Sequence, residues 1–167
     1  NDMLDASRAQ AGTLHVDPEP TPLSPLVCRT AELIVSASSK HTLELDTEDV
    51  TVMADRARTE QLVTNLVTNA VRYSPEGGRI HIRVRRAETG GLVEVIDEGI
   101  GFEESVAQSL FEPFLQLTQE TRRDGGLGLG LYLSRELVER MNGKIWASSP
   151  GPGKGATFSF TLPQVKQ

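Results

Sequence analysis

The chain has 167 residues, of which 38% are hydrophobic and 24% are charged, as in an ordinary globular domain with a sizeable core. Its net charge of −6 disfavours nonspecific binding to nucleic acid or to an anionic membrane surface. Cys28 is the only cysteine, which excludes an internal disulfide. No apolar run approaches the roughly 20 residues of a membrane-spanning helix. Because the first residue is not methionine, we expect a piece of a longer protein.

The N-terminal quarter contains helical patterns separated by a proline-rich stretch. Residues 1–16 are mostly helix-forming and carry a sparse apolar stripe. Residues 17–25 read "DPEPTPLSP". Proline lacks an amide donor and disfavours a helical residue before it, so an extended linker is expected there. Apolar residues at helical spacing then predict a helix over residues 26–38.

The central part of the chain predicts strands on either side of one strong helix. The alternating segments "HTLELD" and "VTVMAD" indicate two strands joined by a turn. Asp55 is a good N-cap for a helix over residues 56–73. Two further strands, "RIHIRVRRA" and "LVEVID", are joined by a turn that contains Gly90 and Gly91.

The C-terminal part begins with the turn "DEGIG" and the short segment "LFEPF". The polar stretch "LTQETRRD" has no hydrophobic period and predicts a mobile loop. A helix over residues 129–141 and the strands "KIWASS" and "ATFSFTLP" follow. These elements together predict an α+β fold, a two-layer α/β sandwich in which helices cover one face of a sheet.

The central helix carries a polar stripe beside its apolar one. Asn65, Asn69 and Arg72 stand at i, i+4 and i+7 and therefore share a face. An amide oxygen suits Mg²⁺, which binds few protein ligands and completes its octahedron with phosphate and water. The guanidinium of Arg72 could neutralise the same phosphate. A solvated polar face explains this segment about equally well.

Two glycine-spaced segments are candidates for ligand contact. Asp97, at a strand end before Gly99 and Gly101, could accept a hydrogen bond from the exocyclic amino group of adenine, and the glycines would let the backbone approach its flat ring. A turn with a capping Asp also explains this pattern, and the pattern alone is weak because such turns are common. The segment "GGLGLGL" at residues 125–131 opens a helix, where free amides and the helix dipole favour phosphate. It matches neither a Walker loop nor a dinucleotide-binding loop.

The order of these motifs is more specific than any one of them. Asn-x-x-x-Asn is followed by Asp-x-Gly-x-Gly, Phe-x-x-Phe, Gly-x-Gly-x-Gly and Gly-x-Thr-Phe. Over residues 20–163 the chain resembles the catalytic ATP-binding domain of two-component sensor histidine kinases. That domain belongs to the superfamily of gyrase, Hsp90, histidine kinases and MutL. The resemblance implies the Bergerat fold, with a mixed, mostly antiparallel sheet, and implies ATP and Mg²⁺ as ligands.

The resemblance also assigns the site. Asn69 would coordinate Mg²⁺ beside Asn65, and Arg72 would bind phosphate. Asp97 would accept from the adenine amino group. The remaining residues would contact or enclose the nucleotide: Tyr73, Gly99, Gly101, Gly126, Leu127, Gly128, Leu129, Gly130, Leu131 and Thr157. Residues 115–125 would form the lid over ATP, with the glycines after it as the hinge.

Three positions differ from residues that other members of the superfamily carry in this site. Gln116 stands where many members carry a basic residue that reaches the γ-phosphate, and Leu127 replaces a polar residue of the lid. Arg122 or Arg123 could substitute for the missing basic group. Asn65 stands where the ATP-hydrolysing branches carry a glutamate that activates water, and an amide cannot act as a general base. The resemblance therefore favours a protein-histidine kinase over an efficient ATPase.

The phosphoacceptor itself is expected outside this chain. His15, His41 and His81 are the only histidines, and none lies in the family's phosphorylation motif. Residues 1–16 resemble the end of the dimerisation and phosphoacceptor helix, and residues 164–167 a C-terminal tail. We therefore expect a cytoplasmic domain of a homodimeric parent, with its own dimerisation domain and a response regulator as partners. Nucleic acid is not expected as a partner, and a membrane is expected only through segments outside this chain.

Two alternatives remain from the sequence. One is a superfamily ATPase or a protein serine kinase, and the other is a nucleotide-binding regulatory module with weak catalysis. The first usually keeps the glutamate that Asn65 replaces. The second is suggested by Gln116 and Leu127.

Overall fold

The computed structural model describes residues 2–114 and 128–165. Within them lie four α-helices and two short 3₁₀ turns, Glu104–Val106 and Ser109–Phe111. The helices are α1 (Asp2–Gln10), α2 (Leu23–Ser36), α3 (Arg56–Arg72) and α4 (Gly130–Arg140). The strands are β1 (Glu19–Pro22), β2 (His41–Thr47), β3 (Thr51–Ala54), β4 (Gly78–Ala87), β5 (Gly90–Asp97), β6 (Lys144–Ser148) and β7 (Ala156–Pro163).

Five strands form the main sheet in the order β2-β4-β5-β7-β6. The β2–β4 pair is parallel and the other three pairs are antiparallel. The parallel pair needs a long crossover, which α3 provides. The predicted two-layer α+β class, with a mixed and mostly antiparallel sheet, is confirmed.

The two faces of the sheet differ because successive side chains on a strand point to opposite sides. One face is apolar and covered by α2, α3 and α4; its buried residues include Ile80, Ile82 and Val84 on β4, Val93 and Val95 on β5, and Phe158, Phe160 and Leu162 on β7. We call the other face the open face. One of its rows runs through Arg83, Glu94, Ser159 and Trp146.

Helix α3 is positioned at its N-terminus by Asp55. The Asp55 carboxylate accepts a hydrogen bond from the Arg58 amide at 3.1 Å, as an N-cap does, and a second from the Asp17 amide at 2.9 Å. The predicted cap is confirmed. The second bond also fixes the segment that precedes β1 against the start of α3.

Two local predictions near the N-terminus differ from the structure. Helix α2 begins at Leu23 rather than at residue 26, because Pro25 falls in its first turn, where no amide donor is needed. The segments "HTLELD" and "VTVMAD" are both strands but do not form a hairpin. Strand β2 pairs with β4, whereas β3 pairs with β1, which lies in the stretch expected to be only a linker.

Helix α1 is docked on the ends of α3 and α4. The Asp5 carboxylate is buried, accepts from the Gln61 amide at 3.0 Å and lies 3.4 Å from the Arg58 guanidinium. At the other end of α1, Arg140 of α4 donates to the Ala9 carbonyl at 3.1 Å. These polar contacts fix the helix in place, since its own apolar contribution is small.

The helices of the described ranges, 2–114 and 128–165, are all too short or too polar to span a bilayer.

Candidate nucleotide site

One face of α3 presents the predicted polar stripe. Asn69 is buried, and Asn65 and Arg72 are half-buried. The opposite side of the helix packs into the core through Leu62, Val63, Leu66, Val67 and Ala70. Because the apolar residues fix the rotation of the helix, the three polar side chains are held on one side of it, where they line a common surface.

The start of α4 lies beside this polar stripe. The Asn65 amide donates to the carbonyl of Gly130 at 3.4 Å, and the Ser134 hydroxyl donates to the same oxygen at 2.7 Å. Leu129 and Leu131 are buried and anchor the first turn of the helix. The structure therefore brings the glycine segment and the asparagines of α3 together, with the N-terminal amides of α4 next to Asn65.

The segment between "LFEPF" and α4 has its two ends joined. The Phe114 amide donates to the carbonyl of Gly128 at 2.9 Å, and both residues have positive φ, 68° and 71°. Phe111 is buried against Phe158, whereas Phe114 is 63% exposed. The residues between these ends lie outside the described ranges, including several predicted site or lid positions: Leu115 to Gly125, with Gln116, Arg122 and Arg123, and also Gly126 and Leu127.

Asp97 lies at the end of β5, facing the helices, and is 3% exposed. Its Oδ1 accepts a hydrogen bond from the Gly99 amide at 2.8 Å. Its Oδ2 is buried and has no hydrogen-bond partner in the described structure. Burial raises the pKa of this carboxyl to about 6, against the opposing effect of the Gly99 and Ala156 backbone amides. A buried acceptor without a donor is a costly arrangement that a ligand amino group would relieve.

The titration of Asp97 gives a stability prediction. Its native pKa of about 6 lies above the ordinary value, so between pH 4 and 6 the native state binds more protons than the unfolded state. The free energy of unfolding should fall as pH rises through this window, by roughly 3 kcal/mol relative to the non-titrating Asp97→Asn variant. Urea unfolding of both proteins from pH 4 to 7 measures the difference. A difference in the free energy of unfolding between the two proteins that does not change with pH would contradict the raised pKa of Asp97.

The turn after Asp97 is tied to the end of α3. The Ile100 amide donates to the carbonyl of Tyr73 at 2.9 Å, and a Cβ on Gly99 would lie 2.0 Å from the same oxygen. Gly101 has φ +59°, and a Cβ there would lie 2.4 Å from the carbonyl of Gly151. Both glycines are therefore required by close backbone approach. Tyr73, Asp97 and the turn form one connected wall of the site.

These groups form a surface suited to a nucleotide: an orphaned carboxylate oxygen, a glycine turn, a polar helix face and a helix N-terminus. A family model described as "Histidine kinase-, DNA gyrase B-, and HSP90-like ATPase" matches residues 54–166. The chain belongs to this ATPase family.

Relatives within the family are sensor histidine kinases. The alginate biosynthesis sensor protein KinB of Pseudomonas aeruginosa is 35% identical over 167 residues, which cover 98% of this chain and 27% of KinB. Sensor histidine kinase WalK of Bacillus subtilis is 39% identical over 126 residues, which cover 74% of this chain and 20% of WalK. The chain thus spans about a quarter or less of these curated relatives. In fold it is similar to full-length ShkA in complex with AMPPNP, with a TM-score of 0.83 and 26% identity over 100% of this chain and 35% of that one.

The chain is a catalytic ATP-binding domain of the histidine-kinase type.

Thr157 is a predicted site residue that the structure places apart from Asp97. Thr157 precedes buried Phe158 on β7, so its side chain lies on the open face, in register with Ile96 and away from Asp97. The residue opposite Asp97 is Ala156, which is buried on the helix-covered face. The alternation in "ATFSF" could have predicted this orientation of Thr157, because the large apolar Phe158 and Phe160 must face the core.

The histidines of this domain have structural or exposed positions or lie on the open face of the sheet. His41 contacts the carbonyl and the hydroxyl of Ser74, each at 2.9 Å, and so fixes the segment after α3. His15 is exposed and lies 2.9 Å from Asp17. His81 lies on β4 with its side chain toward the open face. None of these contacts involves the residues of the candidate site.

The donor set of the site is compatible with Mg²⁺ held jointly with phosphate. The residues of ranges 2–114 and 128–165 contain no group of three or more His, Cys, Asp or Glu side chains that could hold a metal ion. The polar stripe offers the neutral amide oxygen of Asn69 instead. Because Mg²⁺ keeps several waters and is usually bound through few protein ligands plus substrate phosphates, one amide ligand fits its ordinary chemistry.

Proposed function

We propose that this domain transfers the γ-phosphoryl group of ATP to a histidine on a dimerisation and phosphoacceptor domain. The observation that carries the proposal is Asn65. Its side chain is an amide that donates to the carbonyl of Gly130 beside the start of α4. An amide has no protonation equilibrium near neutral pH and cannot activate water. An imidazole acceptor is itself a nucleophile and needs no such base.

The described residues would bind the two ends of ATP. Asp97 would accept a hydrogen bond from the adenine amino group on its unpartnered oxygen, and the turn at Gly99 and Gly101 would lie against the ring. The free N-terminal amides of α4 would donate to phosphate oxygens. In the transfer, the bond from the γ-phosphorus to the β–γ bridging oxygen breaks, a nitrogen–phosphorus bond forms, and ADP leaves.

Asn69 would hold Mg²⁺ together with the ATP phosphates, and Arg72 would lie on the same helix face to neutralise phosphate charge. A bound Mg²⁺ would offset the charge that develops on the β–γ bridging oxygen. The burial of Asn69 supports this assignment, because the packed core fixes its position on α3. Arg72 is half-buried in the last turn of the same helix.

The proposal extends to domain organisation. Residues 1–16 would be the end of the dimerisation helix, residues 26–163 the catalytic domain and residues 164–167 a tail. Of the stretch 17–25 expected as the connection, β1 and the start of α2 are packed with the catalytic domain. Its parent would act as a cytoplasmically facing homodimer and pass the phosphoryl group to a response regulator. The low share of KinB and WalK that the chain spans supports a multidomain parent.

Incubation with γ-labelled ATP and a separately supplied dimerisation domain from the parent tests the activity. We expect label on that domain, stable to base and labile to acid, and no label on this chain alone. An acceptor domain with its phosphoacceptor histidine replaced by Gln is the control. Release of free phosphate without labelled acceptor would support the ATPase alternative. Binding of a nucleotide analogue without either product would support the regulatory module.

A further inference from the structure

The hydroxyl of Ser149, directly after β6, binds three backbone groups on two segments, Phe102 and residues 151–155. It donates to the carbonyl of Gly155 at 2.6 Å and accepts from the amides of Phe102 and Gly151, each at 3.2 Å. One donor and two acceptor sites are the full capacity of a serine hydroxyl. The half-buried side chain is thus saturated by backbone groups alone.

The segment that Ser149 organises, residues 151–155, lies directly against the turn after Asp97. The Gly155 amide donates to the carbonyl of Gly99 at 3.0 Å, and the Gly153 amide donates to the carbonyl of Ile100 at 2.7 Å. A Cβ on Gly101 would lie 2.8 Å from the Ser149 hydroxyl oxygen itself. The hydroxyl therefore lies at the contact between the two backbone segments.

The Gly99–Gly101 turn is consequently held from two sides. On one side the Ile100 amide is bound by the carbonyl of Tyr73 at the end of α3. On the other side its carbonyls are bound by the segment that Ser149 organises. The Gly99 amide, fixed between these attachments, donates to Oδ1 of Asp97 and so determines which carboxylate oxygen remains unpartnered.

We propose that Ser149 is a positioning residue for nucleotide binding, an inference that rests on the proposed function. It acts through the turn, without contact to the ligand. When the hydroxyl is removed, the segment that binds the carbonyls of the turn is no longer fixed by Ser149. The turn is then less ordered and must be ordered by the ligand, which costs binding free energy. The loss of Ser149 should lower the affinity for the nucleotide and leave the transfer step unchanged, because the phosphate end of the site is built from α3 and α4.

Binding of a fluorescent ATP analogue to Ser149→Ala tests the proposal. We expect Kd to rise about 10-fold, the loss expected for one or two hydrogen bonds. Ser149→Thr, which keeps the hydroxyl, should stay within about 2-fold of the unmodified chain. The matched control is Ser148→Ala, one position earlier on the exposed face of β6, which should leave Kd unchanged. With a supplied acceptor domain, KM for ATP should rise while kcat is kept.

The possible outcomes separate the two levels of inference. If the unmodified chain does not bind the analogue, the proposed function fails and the inference fails with it. If it binds and Ser149→Ala binds equally well, only the inference fails. A fall in thermal midpoint without a change in Kd would also overturn it, by assigning Ser149 a structural role alone. If Ser149→Ala does not fold, Ser149→Cys replaces it, because a thiol is a weaker hydrogen-bond donor than a hydroxyl. A raised Kd of Ser149→Cys for the analogue then supports the inference, and an unchanged Kd overturns it.

Discussion

Replacing Asp97 by Asn is expected to weaken nucleotide binding by about 100-fold, because a hydrogen bond to a charged acceptor contributes about 1.5–3 kcal/mol. The unpartnered Oδ2 is the only acceptor that Asp97 has left to offer a ligand, since Oδ1 is bound by the Gly99 amide. An Asn at this position with its oxygen bound to Gly99 would present an amino group to the amino group of adenine, so two donors would meet. Isothermal titration with ATP or a non-hydrolysable analogue measures the loss.

The control for this variant removes the same charge at a distant place. Asp46 pairs with Arg85 on the open face, so Asp46→Asn should leave the affinity unchanged. Binding by the unmodified chain should also weaken as pH falls through about 6, where the Asp97 carboxyl becomes protonated. Retention of full affinity by Asp97→Asn would exclude this carboxylate as the adenine acceptor.

Replacing Asn69 by Ala is expected to lower phosphoryl transfer by about 100-fold or more while sparing much of the nucleotide affinity. Loss of a residue that only orients a metal ligand typically costs about 10–100-fold in metal affinity or activity, so loss of the ligand itself should cost at least the upper end of this range. Adenine binding should persist because Asp97 and the glycine turn are untouched. Transfer rates across a range of Mg²⁺ concentrations, with analogue affinity measured with and without Mg²⁺, separate the two effects.

Thr68→Ala is the matched control for Asn69→Ala, since Thr68 neighbours Asn69 on α3 and belongs to no proposed contact. It should retain the Mg²⁺ dependence of the unmodified chain. An Asn69→Ala variant with the same Mg²⁺ dependence as the unmodified chain would remove Asn69 from the metal site. Loss of analogue binding in the absence of Mg²⁺ would assign it to the nucleotide instead.

Local sequence patterns predicted most elements of the fold. The 3.6-residue period of α3 placed Asn65, Asn69 and Arg72 on one side before any contact was known, and the structure has the apolar residues on the other. Strict alternation identified β4, β5 and β7 in the same way. Such patterns succeed because each helix or strand must bury one face, and burial imposes its period on the sequence.

Pairings and distant contacts could not be predicted in the same way. Strands β2 and β3 are neighbours in sequence, yet each pairs with a distant strand, because pairing is decided by the whole sheet. The separation of Thr157 from Asp97 follows from the pairing of β5 with β7 and from alternation along β7. The role of Ser149 depends on three backbone groups that no local pattern links.

The docking of α1 has a consequence for the order in which the chain acquires its structure during synthesis. The bond between Arg140 and the carbonyl of Ala9 joins positions 131 residues apart. At a typical elongation rate, on the order of ten seconds pass between the two. During that time α1 lacks part of the surface on which it docks. The Asp5 carboxylate can pair with Arg58 and Gln61 only after α3 has been synthesised. Helix α1, although it precedes α3 and α4 in the chain, is therefore fixed only after both of them have been synthesised, and its docking requires that these two helices have formed.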